Sequence, residues 1–183
     1  LELGGNGQTI VHSDADIETA AKLCARNSMR LAGQSCISVQ SVLVHRSVYD
    51  RFLDLLVHNV EALKVGDPLD PSTNVGTLID EGAARRVEAW LSEALAQGAR
   101  LMAGGGRSGA QIAPTVLADI TPQMKVFCEE VFGPVVSVMS YDDVSDAIAL
   151  VNSGRYGLQA GIFTASNKLT MRAIREIRAG GIV

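Results

Sequence analysis

An α/β domain is the fold class this sequence predicts, and three observations predict it. Short valine- and isoleucine-rich runs alternate along the chain with amphipathic stretches at helical spacing. Turns marked by glycine and proline separate them. No internal repeat or low-complexity linker interrupts the pattern, so the 183 residues read as one domain with a sizeable core. Strands joined by helices run parallel, and open parallel sheets place ligands at the carboxyl ends of their strands.

The elements follow in order. Ser13 or Asp14 is placed to cap a helix reaching about residue 28, with Ile17, Ala20, Ala21 and Cys24 on one face. Residues 38–45 are rich in valine and alternate as a strand does. Tyr49, Phe52, Leu53, Leu56 and Val60 then recur at helical spacing. Gly66, Pro68 and Pro71 mark 64–74 as a loop. Ala84, Val87, Leu91, Ala94 and Leu95 mark a helix that Gly98 closes. Strands are expected at 100–103, 115–120, 135–141 and 160–164, with helices at 144–151 and 168–178. Gly180-Gly181-Ile182-Val183 reads as a strand just starting, and the opening without Met leads us to expect a piece of a longer protein.

Composition removes several function classes. Hydrophobic residues make up 47% of the chain, which argues against disorder. The net charge is -4 and no basic stripe with interleaved aromatics is present, so nucleic acid is not an expected partner. The uncharged run 31–44 is too short and too polar to span a membrane, and no signal peptide is visible. Three cysteines, an odd number, suit a reducing compartment such as the cytoplasm better than a disulfide framework. They lack metal-ligand spacing, as do His12, His45 and His58.

Three motifs carry candidate chemistry. Cys36 follows Gly33-Gln34-Ser35, a loop whose backbone N–H groups can hold an oxyanion. A thiolate there is a nucleophile; the ordinary alternative is a small buried hydrophobe, the reading given to Cys24 on its apolar stripe. Glu2, between Leu1 and Leu3, is a general base if burial raises its pKa, or a solvated acid if not. In Glu129-Glu130-Val131-Phe132-Gly133-Pro134, a carboxylate can accept both hydroxyls of a ribose and Phe132 can support a flat ring. The alternative is an acidic turn before a buried strand. Gly104-Gly105-Gly106 lacks the lysine of a phosphate loop and reads as a surface hairpin or turn.

Taken together these motifs resemble the aldehyde dehydrogenase superfamily. The ordered set is Leu1-Glu2-Leu3-Gly4-Gly5, Ser13-Asp14-Ala15-Asp16, Gly33-Gln34-Ser35-Cys36, Val65-Gly66-Asp67-Pro68, Glu129 through Pro134, and Tyr156-Gly157-Leu158. The resemblance implies a three-layer catalytic domain over residues 1–183, an open and mostly parallel twisted sheet flanked by helices. Most of the dinucleotide-binding domain would lie before Leu1. It implies NAD or NADP as cofactor, a small aldehyde as substrate and a homo-oligomer, dimer or tetramer, as the full-length state. Cys36 would attack the aldehyde and Glu2 would activate water against the resulting thioester. Glu130 would bind the nicotinamide ribose, Phe132 would pack beside that end of the cofactor, and Leu3 would lie near it through its backbone. The Cys36 N–H would supply half of an oxyanion hole, the other half being an upstream asparagine.

Asn6 stands where many members carry lysine, Leu31 where asparagine is frequent, and Met29 and Arg30 where aromatics are commoner, so the aldehyde pocket is expected to differ in shape. The run from Ser35 to Gln40 is most similar to the lactaldehyde- and semialdehyde-oxidising branches. Other readings are acyl transfer to coenzyme A, a non-catalytic assembly domain of the same fold, and a cysteine hydrolase that would need a histidine beside Cys36.

Overall fold

In the computed structural model, which describes residues 3–183, the strands are β1 (Gly7–Val11), β2 (Val39–His45), β3 (Arg100–Ala103), β4 (Arg107–Ser108), β5 (Gln111–Ile112), β6 (Thr115–Ala118), β7 (Val135–Tyr141), β8 (Gln159–Phe163) and β9 (Gly181–Ile182). The helices are α1 (Ile17–Met29), α2 (Tyr49–Glu61), α3 (Glu81–Ala96), α4 (Lys125–Cys128), α5 (Val144–Ser153) and α6 (Asn167–Glu176). Seven strands form one sheet in the order β3-β6-β7-β2-β1-β8-β9. Every pairing in it is parallel except that of β3 with β6.

The alternation of side chains across each strand divides the core into two layers of contact. Val11, Val42 and Val44 join Ala21 of α1, Phe52 of α2 and Val87 of α3 in one buried cluster. Ile10 and Leu43, the neighbours that point the other way, join Tyr141, Ala147 of α5 and Ala173 of α6 in the second. A sheet covered on both faces needs apolar residues on both, and β1 is buried along its whole length. The result is the expected three-layer α/β domain.

Most elements fall where the sequence places them, with ends displaced by a few residues. The helix closed by Gly98 ends in a Schellman arrangement: Ala99 N–H donates to the Ala94 carbonyl at 2.9 Å and Gly98, at φ 101°, donates to Leu95 at 3.1 Å. Residues 181–182 do begin a strand, paired with β8. The tri-glycine turn leads into a small hairpin of β4 and β5. The expected cap of α1 is corrected. Asp14 instead accepts from the Thr164 hydroxyl at 2.7 Å, and Asp16 caps the helix by accepting from Thr19 N–H at 3.2 Å. The antiparallel edge strand falls at the expected residues 100–103, whereas strand β1 and helix α4, of five residues or fewer, carried no clear periodic signal.

Phe52 is fully buried where α2 meets the sheet. Phe52→Ala is expected to lower unfolding free energy by about 3–5 kcal/mol. Chemical denaturation checks this, and a change below ~1 kcal/mol would show that this core is not formed as described.

Candidate active site

Among the described residues, those singled out for chemistry, Leu3, Cys36, Glu130 and Phe132, lie on segments that lead into β1, β2 and β7, at the amino ends of these parallel strands. This corrects the expectation of a site at the carboxyl ends. That end of the sheet holds a different group: His12 Nδ1 lies 2.9 Å from the Tyr141 hydroxyl, and His45 packs edge-on against both rings. His58 lies in α2, so none of the three histidines shares a loop with Cys36.

Three loops are packed backbone to backbone. A Cβ at Gly5 would stand 1.9 Å from the Cys36 carbonyl oxygen, and a Cβ at Gly33 would stand 1.9 Å from the Gly133 carbonyl oxygen. Neither gap admits any side chain. The glycines are therefore required by proximity, and Gly33 by its φ of 70° as well. The Gly5 N–H donates to Glu130 Oε1 at 2.7 Å, which ties the first loop to the third.

The Cys36 loop begins as α1 ends. Leu31 and Ala32 both adopt left-handed conformations, φ 55° and 53°, ahead of Gly33. Non-glycine residues there cost on the order of 1–3 kcal/mol each, so the surroundings must enforce the bend. Gln34 supplies part of that enforcement. Its amide donates to Leu31 and Thr77 carbonyls at 3.2 Å, and its oxygen accepts from Ile79 N–H at 2.9 Å. Ser38 N–H then donates to the Ser35 carbonyl at 2.9 Å, closing a four-residue turn with half-buried Cys36 at its second position. The Ser38 hydroxyl lies 3.1 Å from the Asn27 carbonyl and 3.2 Å from that of Ser28, in the last turn of α1.

The Glu130 loop is strapped from three sides. Buried Gln40 of β2 donates to the Glu129 carbonyl and accepts from Val131 N–H at 2.8 Å. Asn6 donates to the Phe127 carbonyl at 2.7 Å, and Arg86 of α3 donates to the Val131 carbonyl at 2.7 Å. Phe132 is half-buried at φ 48°. Glu129, the other acid of the pair, forms an ion pair with Arg155. Leu3 is exposed beside Gly4; Glu2 lies outside the described residues.

The cysteines are well separated in character. Cys24 is fully buried on α1, and burial pushes its thiol up to about 12, as a core hydrophobe requires. Cys128 closes α4, its thiol 3.9 Å from the Gln123 carbonyl. Among the described residues no group of three or more metal-ligating side chains occurs. Nor is any helix long and apolar enough to cross a membrane.

Gln40, Asn6 and Arg86 were missed as positioning residues. A glutamine inside a valine-rich strand was the available signal, since a buried amide demands partners. Gln40→Leu leaves the Val131 N–H and Glu129 carbonyl unpaired, and is expected to cost about 1–3 kcal/mol. Hydrogen exchange at Val131 should accelerate with it; unchanged exchange and an unchanged denaturation midpoint would contradict the strap.

Comparison with known proteins adds the ancestry. The model of the Aldehyde dehydrogenase family matches residues 1–183. The chain is 46% identical over 183 residues to a 3-sulfolactaldehyde dehydrogenase of Priestia aryabhattai, covering all of this chain and 38% of that relative. It superposes with a TM-score of 0.96 and 36% identity on the glyceraldehyde-3-phosphate dehydrogenase GapN of Methanocaldococcus jannaschii complexed with NADP, covering 100% of this chain and 40% of that one. An indole-3-acetaldehyde dehydrogenase complexed with NAD+ matches with a TM-score of 0.96, 36% identity and coverage of 100% and 38%.

Proposed function

Because this chain belongs to the aldehyde dehydrogenase family, we propose that it forms the catalytic domain of an enzyme that oxidises a short aldehyde, of the lactaldehyde or semialdehyde kind, to its carboxylic acid. The observation that carries this reading is the backbone contact of the Cys36 turn with Gly5, on the loop that Glu130 grips. A nucleophile and a cofactor-binding carboxylate must sit within one small volume, and this contact supplies that proximity.

Cys36 Sγ, as thiolate, attacks the aldehyde carbon; a C–S bond forms and the carbonyl oxygen becomes an alkoxide held by the Cys36 N–H. The oxidised nicotinamide of NAD or NADP, when bound, supplies the acceptor for the hydride that leaves this carbon. What remains on Cys36 is a thioester. Glu2 takes a proton from water, the hydroxide adds to the thioester, the C–S bond breaks, and acid and thiol are released. A base for water favours hydrolysis over acyl transfer to coenzyme A.

The residues fit the cofactor's ribose end. A side chain at Gly4 would stand 3.1 Å from Glu130 Oε2, so glycine keeps the approach to that carboxylate open. A carboxylate of this kind accepts paired ribose hydroxyls, and Phe132 and the Leu3 backbone border the same loops. The chain spans 38% of the sulfolactaldehyde relative's length, which supports assigning the rest of the dinucleotide cradle to residues outside 1–183. A reducing, cytoplasmic setting and a homo-oligomeric full-length state complete the proposal.

In a protein of the relatives' full length, Cys36→Ala is expected to abolish aldehyde oxidation. Glu2→Gln should give a burst of about one equivalent of NADH or NADPH followed by turnover reduced roughly 10²–10⁴-fold, the range set by loss of a general base. Stopped-flow absorbance distinguishes the two. Full turnover by Cys36→Ala would sink the mechanism.

A further inference from the structure

Strands β1 and β8 lie side by side, but their connections leave in opposite directions. From β1 the chain passes to α1, whose Ala21 belongs to the buried cluster on one face of the sheet. From β8 it passes to α6, whose Ala173 belongs to the cluster on the other. Parallel strands that part in this way leave a crevice outside their carboxyl ends, where open sheets bind ligands. A cavity of about 410 Å³ opens there, lined by His12, the residue after β1, and by one side of α6. The length of β1, about 17 Å, separates it from the Cys36 turn.

This cavity is cationic, although the chain carries a net charge of -4. Lys168, Arg172 and Arg175 line it, and Glu176 is the one carboxylate of the lining among the described residues. Arg172 already engages that carboxylate, its Nε donating to both oxygens at 3.0 Å. Two other acids nearby are engaged as well: Asp14 accepts from the Thr164 hydroxyl and Asp143 from Ser145 N–H, each at 2.7 Å. Lys168 and Arg175 enter no ion pair with a described residue. The Arg175 Nε donates only within its own helix, to the Met171 carbonyl at 3.1 Å. His12 gives Nδ1 to the Tyr141 hydroxyl, which leaves Nε2 as its second polar atom. The lining thus holds two cations in excess of its carboxylate.

We propose that the crevice between the carboxyl ends of β1 and β8 is a second ligand site, which binds a small phosphate ester between Lys168 and Arg175. A phosphomonoester carries a charge of about -1.5 to -2 at neutral pH, which matches the excess of the lining. Three terminal oxygens accept the hydrogen bonds that an ammonium and a guanidinium supply together. The volume exceeds that of a bare phosphate and leaves room for an organic part, for which Val144 and Leu169 provide an apolar wall. A concave site of this size suits a small molecule rather than a polyanion lying across the surface. The site is independent of the oxidation reading, since it lies at the opposite ends of the strands from Cys36 and Glu130.

The test reads the site directly and needs no turnover. A protein of the relatives' full length is acetylated at lysine with sulfosuccinimidyl acetate, and the Lys168 peptide is quantified over time against those of Lys22, Lys64 and Lys125. Glycerol 2-phosphate is the probe, with glycerol and sodium chloride at matched ionic strength as controls. The ester is expected to slow acetylation of Lys168 by about fivefold or more at saturation while leaving the three reference lysines unchanged. Glycerol and chloride should not do so. Arg175 is exposed, so Arg175→Gln should fold normally; it is expected to abolish the protection, and Arg175→Lys to restore part of it. Lys168 acetylated equally fast with and without the ester overturns the assignment. So does protection that chloride reproduces, which is screening alone, or protection that survives in Arg175→Gln. None of these results bears on aldehyde oxidation, which the Cys36→Ala experiment tests separately.

Discussion

Two backbone contacts govern the rest of this structure: Gly5 against the Cys36 carbonyl and Gly33 against the Gly133 carbonyl. Each would put a Cβ about 2 Å from an oxygen, so each exists only because a glycine occupies the position. Together they lock the loops before β1, β2 and β7 into one unit. The hydrogen bond from Gly5 to Glu130 and the Gln40 straps then fix orientation within a unit whose spacing the glycines have already set. The strain at Leu31 and Ala32 belongs to the same arrangement: the chain must turn sharply after α1 to bring Cys36 under Gly5.

The location of this unit follows from topology. In an open parallel sheet the carboxyl ends of the strands usually carry the ligands. Here the carboxyl ends of β1, β2 and β7 are closed by His12, His45 and Tyr141 packed on one another, and burial pushes the Tyr141 phenol upward. The segments that enter these strands at their amino ends are left to carry the glycines, the thiol and the carboxylate. Relatives that superpose at a TM-score of 0.96 across the whole chain share this frame.

Much of the fold was legible because periodicity reports burial. Val135–Tyr141 and the helix closed by Gly98 were readable from apolar spacing and a single turn residue. Strand β1 and helix α4 were not, since they owe their existence to neighbours already in place. In the site, Cys36, Glu130 and Phe132 stood out by motif, and the structure brings their loops together. Asn6, Gln40 and Arg86 did not, because each acts through one or two hydrogen bonds to a backbone far away in sequence, and a single chain carries no mark of such a partner. Glu2 remains a matter for chemistry.

The central claim, that backbone packing presents Cys36 as the reactive thiol, is tested most directly by alkylation. The protein is exposed to iodoacetamide at neutral pH and each cysteine-containing peptide is quantified over time, in the parent and in Gly33→Ala. Cys36 is predicted to react first, Cys128 more slowly and Cys24 only on unfolding, with the Cys36 advantage lost in the variant. Cys36 reacting as slowly as Cys24, or unaffected by the substitution at Gly33, would contradict it.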